Sequence, residues 1–572
     1  MMNIIGLSAL AHDPSAIFIQ NRIIKFALEE EKITRIKNEW IFPNAAVKKL
    51  LENYKNEEID TVAFYWDDSG NTLNAITAEL KNIFDKNIPT LRRIIKRINA
   101  CRNDRVIKDK IHQQISPQVS VEFHSHHLCH ARYAIEMANY EDAAVIVVDG
   151  RGEYETTSIF RLKAGELAKI ESIAMPHSLG YVYGAITQFL GFKPNSDEYR
   201  IMGLAAYGKE NKTLRSFFAR LIVLDNLYRI DMSLVNYQYE ESSEKPWLSH
   251  KAIKILGGAR KEVEAITQHH MDIAYALQQR FEEVMLHLCH VAKEGCVSNN
   301  LIITGGCAMN SVMNGKILTA KIFQNVFVPI AGDQSCAIGA ALLSQDKHYG
   351  SGVSISQIQE NTSAFLGCQY SDSQIEALLL ELQLPYIRLD NPANHIAMLL
   401  SENNIVAVFY GKLEFGARAL GHRSILANPA YADNREKINS MIKFREPFRP
   451  FAGSIIKSKL ADVTGTDANM PYMNFVLQVK DNWRNKISAV VHIDGSCRFQ
   501  TVSENDCPFY HQVIQEFNAL TGLPVILNTS FNIKGEPIVR SPLDAIRCFY
   551  STGLEYLVLN RFLLTKCKVD ND

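Results

Sequence analysis

The chain lacks net charge, long apolar runs and any paired-cysteine motif, and each lack excludes a class of protein. Its 61 Lys plus Arg face 62 Asp plus Glu, for a net charge of −1 over 572 residues. A near-neutral chain has no bulk field with which to gather nucleic acid or an anionic membrane surface. No apolar run approaches the roughly 18 residues that a bilayer span requires. The opening MMNIIGLSALAHD lacks the basic stretch of a secretory signal and meets His12 and Asp13 early, so it reads as a first strand. The 11 cysteines are odd in number, scattered, and nowhere spaced CxxC. That pattern points to reduced thiols and a cytoplasmic setting, and away from a disulfide frame or a cysteine-type zinc site. Neither a Walker A loop nor a GxGxxG after the first strand occurs.

What is present is an ordinary globular composition, 47% apolar and 22% charged, too long for a single core. Strands and helices alternate, which predicts an α/β fold. Residues 3–10, 15–19 and 23–31 read as a hairpin-like opening, 44–54 as an amphipathic helix and 61–66 as a buried strand. The Lys- and Arg-rich stretch 80–115 reads as a solvated helical insertion. Strand, turn and strand follow at 143–162. A long helix over 264–294, a strand at 300–306, and a strand, loop and helix over 326–342 make a second cycle. Two cycles with acidic loops at strand ends predict a duplicated α/β fold over 1–350. The Ser- and Gly-rich stretch 351–367 reads as a linker. Residues 368–572, with strands in NIVAVFY, ISAVVHID and PVILN and helices at 373–383 and 508–521, predict a second α/β domain.

Three constellations carry chemistry. In His126-His127-Leu128-Cys129-His130, positions 126 and 130 stand one helical turn apart on one face, a spacing suited to holding one ion with two neutral nitrogens. A polar helix with three histidines is the other reading. Asp149 and Asp333 each end an apolar strand beside glycine, where α/β folds hold ions and phosphates, and where Asp also serves as a turn or cap residue. In TGGCAMN, Gly305 and Gly306 free backbone N–H groups for a ligand, and Asn310 could meet a nucleotide. Beyond the linker, FGARALGHRS and KFREPFRPF are Arg-rich, aromatic and Pro-braced. With Arg498 and Asn528 they predict a pocket for a small anionic substrate, against a structural arginine network.

Together these residues resemble the O-carbamoyltransferases that act on antibiotics and nodulation factors. The resemblance spans nearly the whole chain, through GLSALAHDPSA, EEEKITRIK, HHLCHA, VVDGRGE, DEYRIMGLAAYG, TGGCAMN, AGDQSCAIGAAL, EFGARALGHRSILANP, KFREPFRPFA and LNTSFNIKGEPIV. It implies an actin/hexokinase-type N-terminal domain and a YrdC-like C-terminal domain. The C-terminal domain would turn carbamoyl phosphate and ATP into carbamoyl-adenylate. The N-terminal domain would pass the carbamoyl group to a hydroxyl of a small-molecule acceptor, as in antibiotic biosynthesis, without nucleic acid or membrane. The implied metal ligands, for an iron-type divalent ion, are His126, His130, Asp149 and Asp333. The implied nucleotide site is Gly305, Gly306 and Asn310. Carbamoyl phosphate would meet Arg418, Lys443, Arg449, Arg498 and Asn528, with His12 and Lys37 on the acceptor side. An ATP-dependent sugar kinase or ATPase of the same N-terminal fold, and a nucleotide-gated binding protein, are the competing readings.

Overall fold

The computed structural model describes residues 2–9, 13–81, 103–238, 244–349, 363–446 and 448–566. His12, most of the basic stretch 80–115 and most of the linker lie outside them. The chain forms two compact units: Met1–Lys25 with Trp40–Thr362, and Phe26–Glu39 with Ser363–Asp572. The segment 26–39, grouped by the sequence with the first domain, thus packs in the second unit. Gly416 N–H donates to Glu29 Oε1 at 2.6 Å, and Arg35 Nη1 donates to the Ile538 carbonyl at 2.7 Å.

The first unit is built on two sheets of one design, the outer strand Ile23–Glu29 of the first running on into the segment 26–39. β1 (Asn3–Ser8), β2 (Ser15–Gln20), β3 (Ile23–Glu29), β4 (Thr61–Phe64) and β5 (Ser120–Phe123) lie in the order β3-β2-β1-β4-β5. β1 pairs antiparallel with β2 and parallel with β4, which pairs parallel with β5. β6 (Asp142–Val148), β7 (Glu155–Lys163) and β8 (Glu166–Ala174) begin the second sheet; a short ribbon, β9 (Ile222–Val223) and β10 (Arg229–Ile230), intervenes. β11 (Asn300–Thr304) and β12 (Asn325–Phe327) complete it, in the order β8-β7-β6-β11-β12. Its central strand β6 is again antiparallel to one neighbour and parallel to the other. A duplicated fold is therefore present, but the repeat relates the sheet of residues 3–123 to that of 142–327; the two cycles read at 143–162 and 264–342 both belong to the second sheet.

The helix Cys336–Tyr349 crosses the first sheet so closely that a Cβ at Gly6 would overlap the Ala337 carbonyl. On its other contact, a Cβ at Gly339 would overlap the Cys129 carbonyl of the helix His126–Ala138. Glycine is required there because two backbones touch.

The second unit is built on a nine-stranded mixed sheet. Its strands are β13 (Ile387–Arg388), β14 (Val406–Phe409), β15 (Arg423–Ala427), β16 (Ala452–Ile456), β17 (Phe475–Gln478), β18 (Ser496–Val502), β19 (Val525–Ser530), β20 (Tyr556–Leu559) and β21 (Phe562–Thr565), in the order β13-β21-β20-β14-β15-β19-β16-β18-β17. The helices Pro392–Ser401 and Pro508–Thr521 bury Ile396, Leu400, Ile514 and Phe517 against Val406, Val408 and Ile526 of this sheet. ISAVVHID is not a strand. Ile487, Ala489 and Val490 are buried, but the carbonyls of Ser488 and Val491 accept from the Arg435 guanidinium at 2.9 and 2.5 Å. A side chain replaces the neighbouring strand.

Gly339→Val should be destabilising by about 1–3 kcal/mol or more, the usual cost of overpacking a close contact. Thermal unfolding should show a melting temperature several degrees lower, and an unchanged one would mean that the two helices can part at this point.

Candidate functional site

The parallel register of β6 with β11 sets Thr304 against Val147. The next residues, Val148 and Asp149, therefore run beside Gly305 and Gly306. Gly305 has φ +90°, and a Cβ there would strike Val148, so the turn needs glycine. A Cβ on Gly306 would lie 2.9 Å from Asp149 Oδ1. The GG turn thus reaches the acidic strand end that the sequence singled out.

The helix His126–Ala138 brings both imidazoles to the same carboxylate. His126 Nε2 lies 3.4 Å and His130 Nε2 3.0 Å from Asp149 Oδ2. Asp333, in a short turn before the helix Cys336–Tyr349, places Oδ1 at 3.8 and 3.5 Å from the same two nitrogens. One donor atom from each of the four side chains lies within 4.8 Å of the others. All four are buried, both histidines completely. Yet His126 Nδ1, both ring nitrogens of His130 and Asp333 Oδ1 have no hydrogen-bond partner. Buried polar atoms without partners are costly. The atoms that face one another, Nε2 of His126 and His130 with Asp149 Oδ2 and Asp333 Oδ1, form a mixed nitrogen and oxygen set that fits a divalent metal ion.

The charges are mutually dependent. Burial opposes an imidazolium at His130, but the carboxylates of Asp149 and Asp333 outweigh it and raise its pKa to about 9. Burial likewise opposes ionised Asp149, and the two imidazoles hold it well below the usual carboxylate range.

Glu153, four residues past Asp149, was not among the expected site residues. Its Oε1 accepts the backbone N–H of His126 and of Asp67, both at 2.9 Å, and fixes the first turn of the ligating helix. Only its place in VVDGRGE hinted at it. Burial pushes its carboxyl up to about 7. Tyr65 and Trp66 pack their rings 5.3 and 5.1 Å from that of His126. His127 turns away, to Ser158 Oγ at 2.7 Å. Asn310 is engaged within the protein: Oδ1 caps the helix Ser311–Ala320 through Met313 N–H at 3.0 Å, and Nδ2 donates to Gln278 Oε1 at 2.9 Å.

In the second unit, Arg498 projects from β18 into a field of like charge. Burial, and then Arg418, Arg445 and Arg449, press its pKa well below the usual arginine value, and its Nε has no acceptor. Lys443 is buried and donates to Ser530, to the Asn532 carbonyl at 3.0 Å and to Asn532 Oδ1 at 2.7 Å. Burial and the neighbouring cations, Lys37 among them, hold its ammonium well below the lysine range. Lys37, itself exposed, thus stands with these cations. Asn528 Nδ2 donates to Ala419 O, Ser454 Oγ and Gln500 Oε1 at 3.1–3.2 Å, leaving its buried Oδ1 unpartnered. The structure therefore brings Arg418, Lys443, Arg449 and Arg498 into one field. His12 lies outside the described residues.

Two family models match the chain: carbamoyltransferase N-terminus over residues 3–342 and carbamoyltransferase C-terminus over 397–566. It is 33% identical to the uncharacterized protein sll1178 of Synechocystis, over 99% of this chain and 97% of that one. It is 32% identical to the nodulation protein NolNO of Sinorhizobium fredii, over 97% of this chain and 79% of that one. Among solved structures, the (R)-2-hydroxyglutaryl-CoA dehydratase component A of Acidaminococcus fermentans aligns with 61% of this chain and 99% of its own, at 13% identity and a TM-score of 0.33.

His130→Ala should abolish stoichiometric metal binding or weaken it at least 10- to 100-fold, measured by metal analysis after dialysis against a divalent ion. Full occupancy in the variant would refute the four-ligand centre. A second expectation concerns Glu29, whose carboxyl is pushed up to about 7 by burial despite the pull of Lys32. An acid raised in the folded state holds more protons there than in the unfolded chain, so stability falls as pH climbs from about 4.5 to 7. Glu29→Gln keeps an acceptor for Gly416 N–H. It should match the wild type near pH 4.5 and exceed it at pH 8, by on the order of 2–3 kcal/mol at most. Denaturant unfolding across that range checks it, and parallel profiles would refute it.

Proposed function

The chain belongs to the carbamoyltransferase family and is a transferase, and on that premise we propose that it makes carbamoyl-adenylate from carbamoyl phosphate and ATP and then carbamoylates a small-molecule hydroxyl. The observation that carries this reading is the presence of two unlike sites, one in each compact unit. The second unit gathers Arg418, Lys443, Arg449 and Arg498, with the Glu446 carboxylate 3.7 Å from Arg449, an excess of positive charge suited to phosphate-bearing anions. The first unit offers a dry nitrogen and oxygen donor set beside a glycine turn.

Carbamate is a poor electrophile until its oxygen carries a good leaving group, and AMP supplies one. The first half-reaction balances when carbamoyl phosphate, water and ATP give carbamoyl-adenylate, phosphate and pyrophosphate. The arginines would bind and orient both anions and offset the charge that builds on the departing phosphates. In the second half-reaction the acceptor oxygen bonds to the carbonyl carbon, the bond from that carbon to the AMP oxygen breaks, and the hydroxyl proton passes to a base. His12 is our candidate for that base, imidazole being the side chain whose ordinary chemistry suits proton transfer near neutral pH. A divalent ion held by His126, His130, Asp149 and Asp333, for which we favour Fe2+, would supply Lewis acidity toward a phosphate or carbonyl oxygen. Glu153 would keep His126 in place for it. The acceptor we favour is a natural product or a sugar-bearing molecule. A sugar kinase with the same N-terminal architecture gives the second cationic unit no task.

The protein incubated with ATP and carbamoyl phosphate should yield carbamoyl-adenylate and pyrophosphate by mass spectrometry. Without that adenylate the proposal falls. Arg498→Ala should slow adenylate formation roughly 10- to 150-fold, the worth of one charge-assisted contact. Transfer from supplied carbamoyl-adenylate should change little; equal loss in both half-reactions would point to one shared site.

A further inference from the structure

The two histidines that meet Asp149 and Asp333 also meet a thiol. Cys336 opens the helix Cys336–Tyr349, three residues after Asp333, and is completely buried. Its Sγ and one ring nitrogen from each of His126 and His130 all lie within 4.8 Å of one another. The compact sets are His126, His130 and Cys336 on one hand, and His126, His130, Asp149 and Asp333 on the other. The histidine pair is common to both. Both imidazoles are fully enclosed, and neither ring nitrogen of His130 has a hydrogen-bond partner. Packing alone would be met there by alanine or serine, whereas a thiol adds a soft donor.

We propose that Cys336 is a further ligand of this centre, giving the histidine pair a choice of partners: the carboxylates for a hard divalent ion, the thiolate for a soft one. The inference rests on the metal reading above and deepens it. Imidazole serves zinc, iron and cobalt alike, so the remaining donors decide preference, and thiolate shifts it toward softer ions. Without a metal the thiol is neutral, since burial first and then Asp333 push its pKa well above the usual value. On coordination the S–H bond breaks, the sulfur–metal bond forms from the same electron pair, and the proton leaves to solvent.

The test uses the full chain, freed of metal and reloaded with Co2+, Cd2+ or Mn2+. The wild type with Co2+ should show a sulfur-to-cobalt charge-transfer band in the near ultraviolet. Cys336→Ser and Cys336→Ala should lose that band yet keep the visible cobalt bands that report the histidines and carboxylates. Cd2+ affinity should fall at least about tenfold in both variants, while Mn2+ affinity stays within about twofold. Cd2+ binding should also release about one proton fewer, read by calorimetry in buffers of different ionisation enthalpy. Cobalt bound by the wild type without a sulfur band, or unchanged Cd2+ affinity in both variants, would overturn the role of Cys336 and leave the four-ligand centre standing. Failure of the wild type to bind any of the three ions, or binding that survives His130→Ala, would overturn the metal reading itself.

Discussion

Keeping two carboxylates and two imidazoles together in a dry interior is the constraint around which the first unit is arranged. A buried charge is tolerated only when it is paired, and removing one partner of such a group is strongly destabilising. Each of the four side chains arrives on a different turn of structure, so those turns must approach within a few ångströms. Gly305 and Gly306 bring the end of β11 beside Asp149, and Gly339 brings the helix that follows Asp333 onto the helix that carries both histidines. Glu153 then ties the start of that helix to the loop after β4, through the N–H groups of His126 and Asp67. The glycines act on the site through geometry, whereas this carboxylate also faces His126 electrostatically.

The second unit meets the opposite problem, which is how to bury cations. It solves it in two ways within one motif. Arg423 is fully buried with its guanidinium 3.6 Å over the Phe409 ring, and it donates to the carbonyls of Tyr410, His422 and Gly411. Glu414, at the head of the same motif, accepts the backbone N–H groups of Leu420, His422 and Arg423, each at 2.9 Å. The loop is thus wound about an internal carboxylate, and Arg423 is part of its frame. Arg498 has no such provision. Its nearest charged neighbours are other arginines, a state that favours an anion binding there.

What could be read from the sequence was local. The helix carrying HHLCH, the strand ending in Asp149 and the glycine turn at 305–306 each follow from residues within one or two turns of one another. The remainder depended on distant partners. The allegiance of 26–39 is decided by contacts of Glu29 and Arg35 with residues nearly four and five hundred positions away. ISAVVHID has the apolar content of a strand, but Arg435 takes the carbonyls that a neighbouring strand would have used. Asn310 has the chemistry of a ligand contact and also that of a helix cap, and its neighbour Gln278 decides what its amide meets. Glu153 escaped because its worth lies in two N–H groups supplied by other segments.

The balance of 61 basic against 62 acidic residues therefore conceals two strong local fields of opposite sign. Composition averages over the chain, whereas binding depends on charge within a screening length of about 10 Å. In the first unit, two carboxylates share two imidazoles, and the cluster takes up a proton at His130 when nothing else supplies positive charge. A divalent cation held there would supply the same positive charge. In the second unit, Arg418, Arg445 and Arg449 add their charge to that of Arg498, with burial forcing Arg498 down in pKa. The carbamoyl transfer proposed above would use that division, with phosphorylated reactants meeting the cations of the second unit and the carbonyl or phosphate oxygen meeting the donor set of the first.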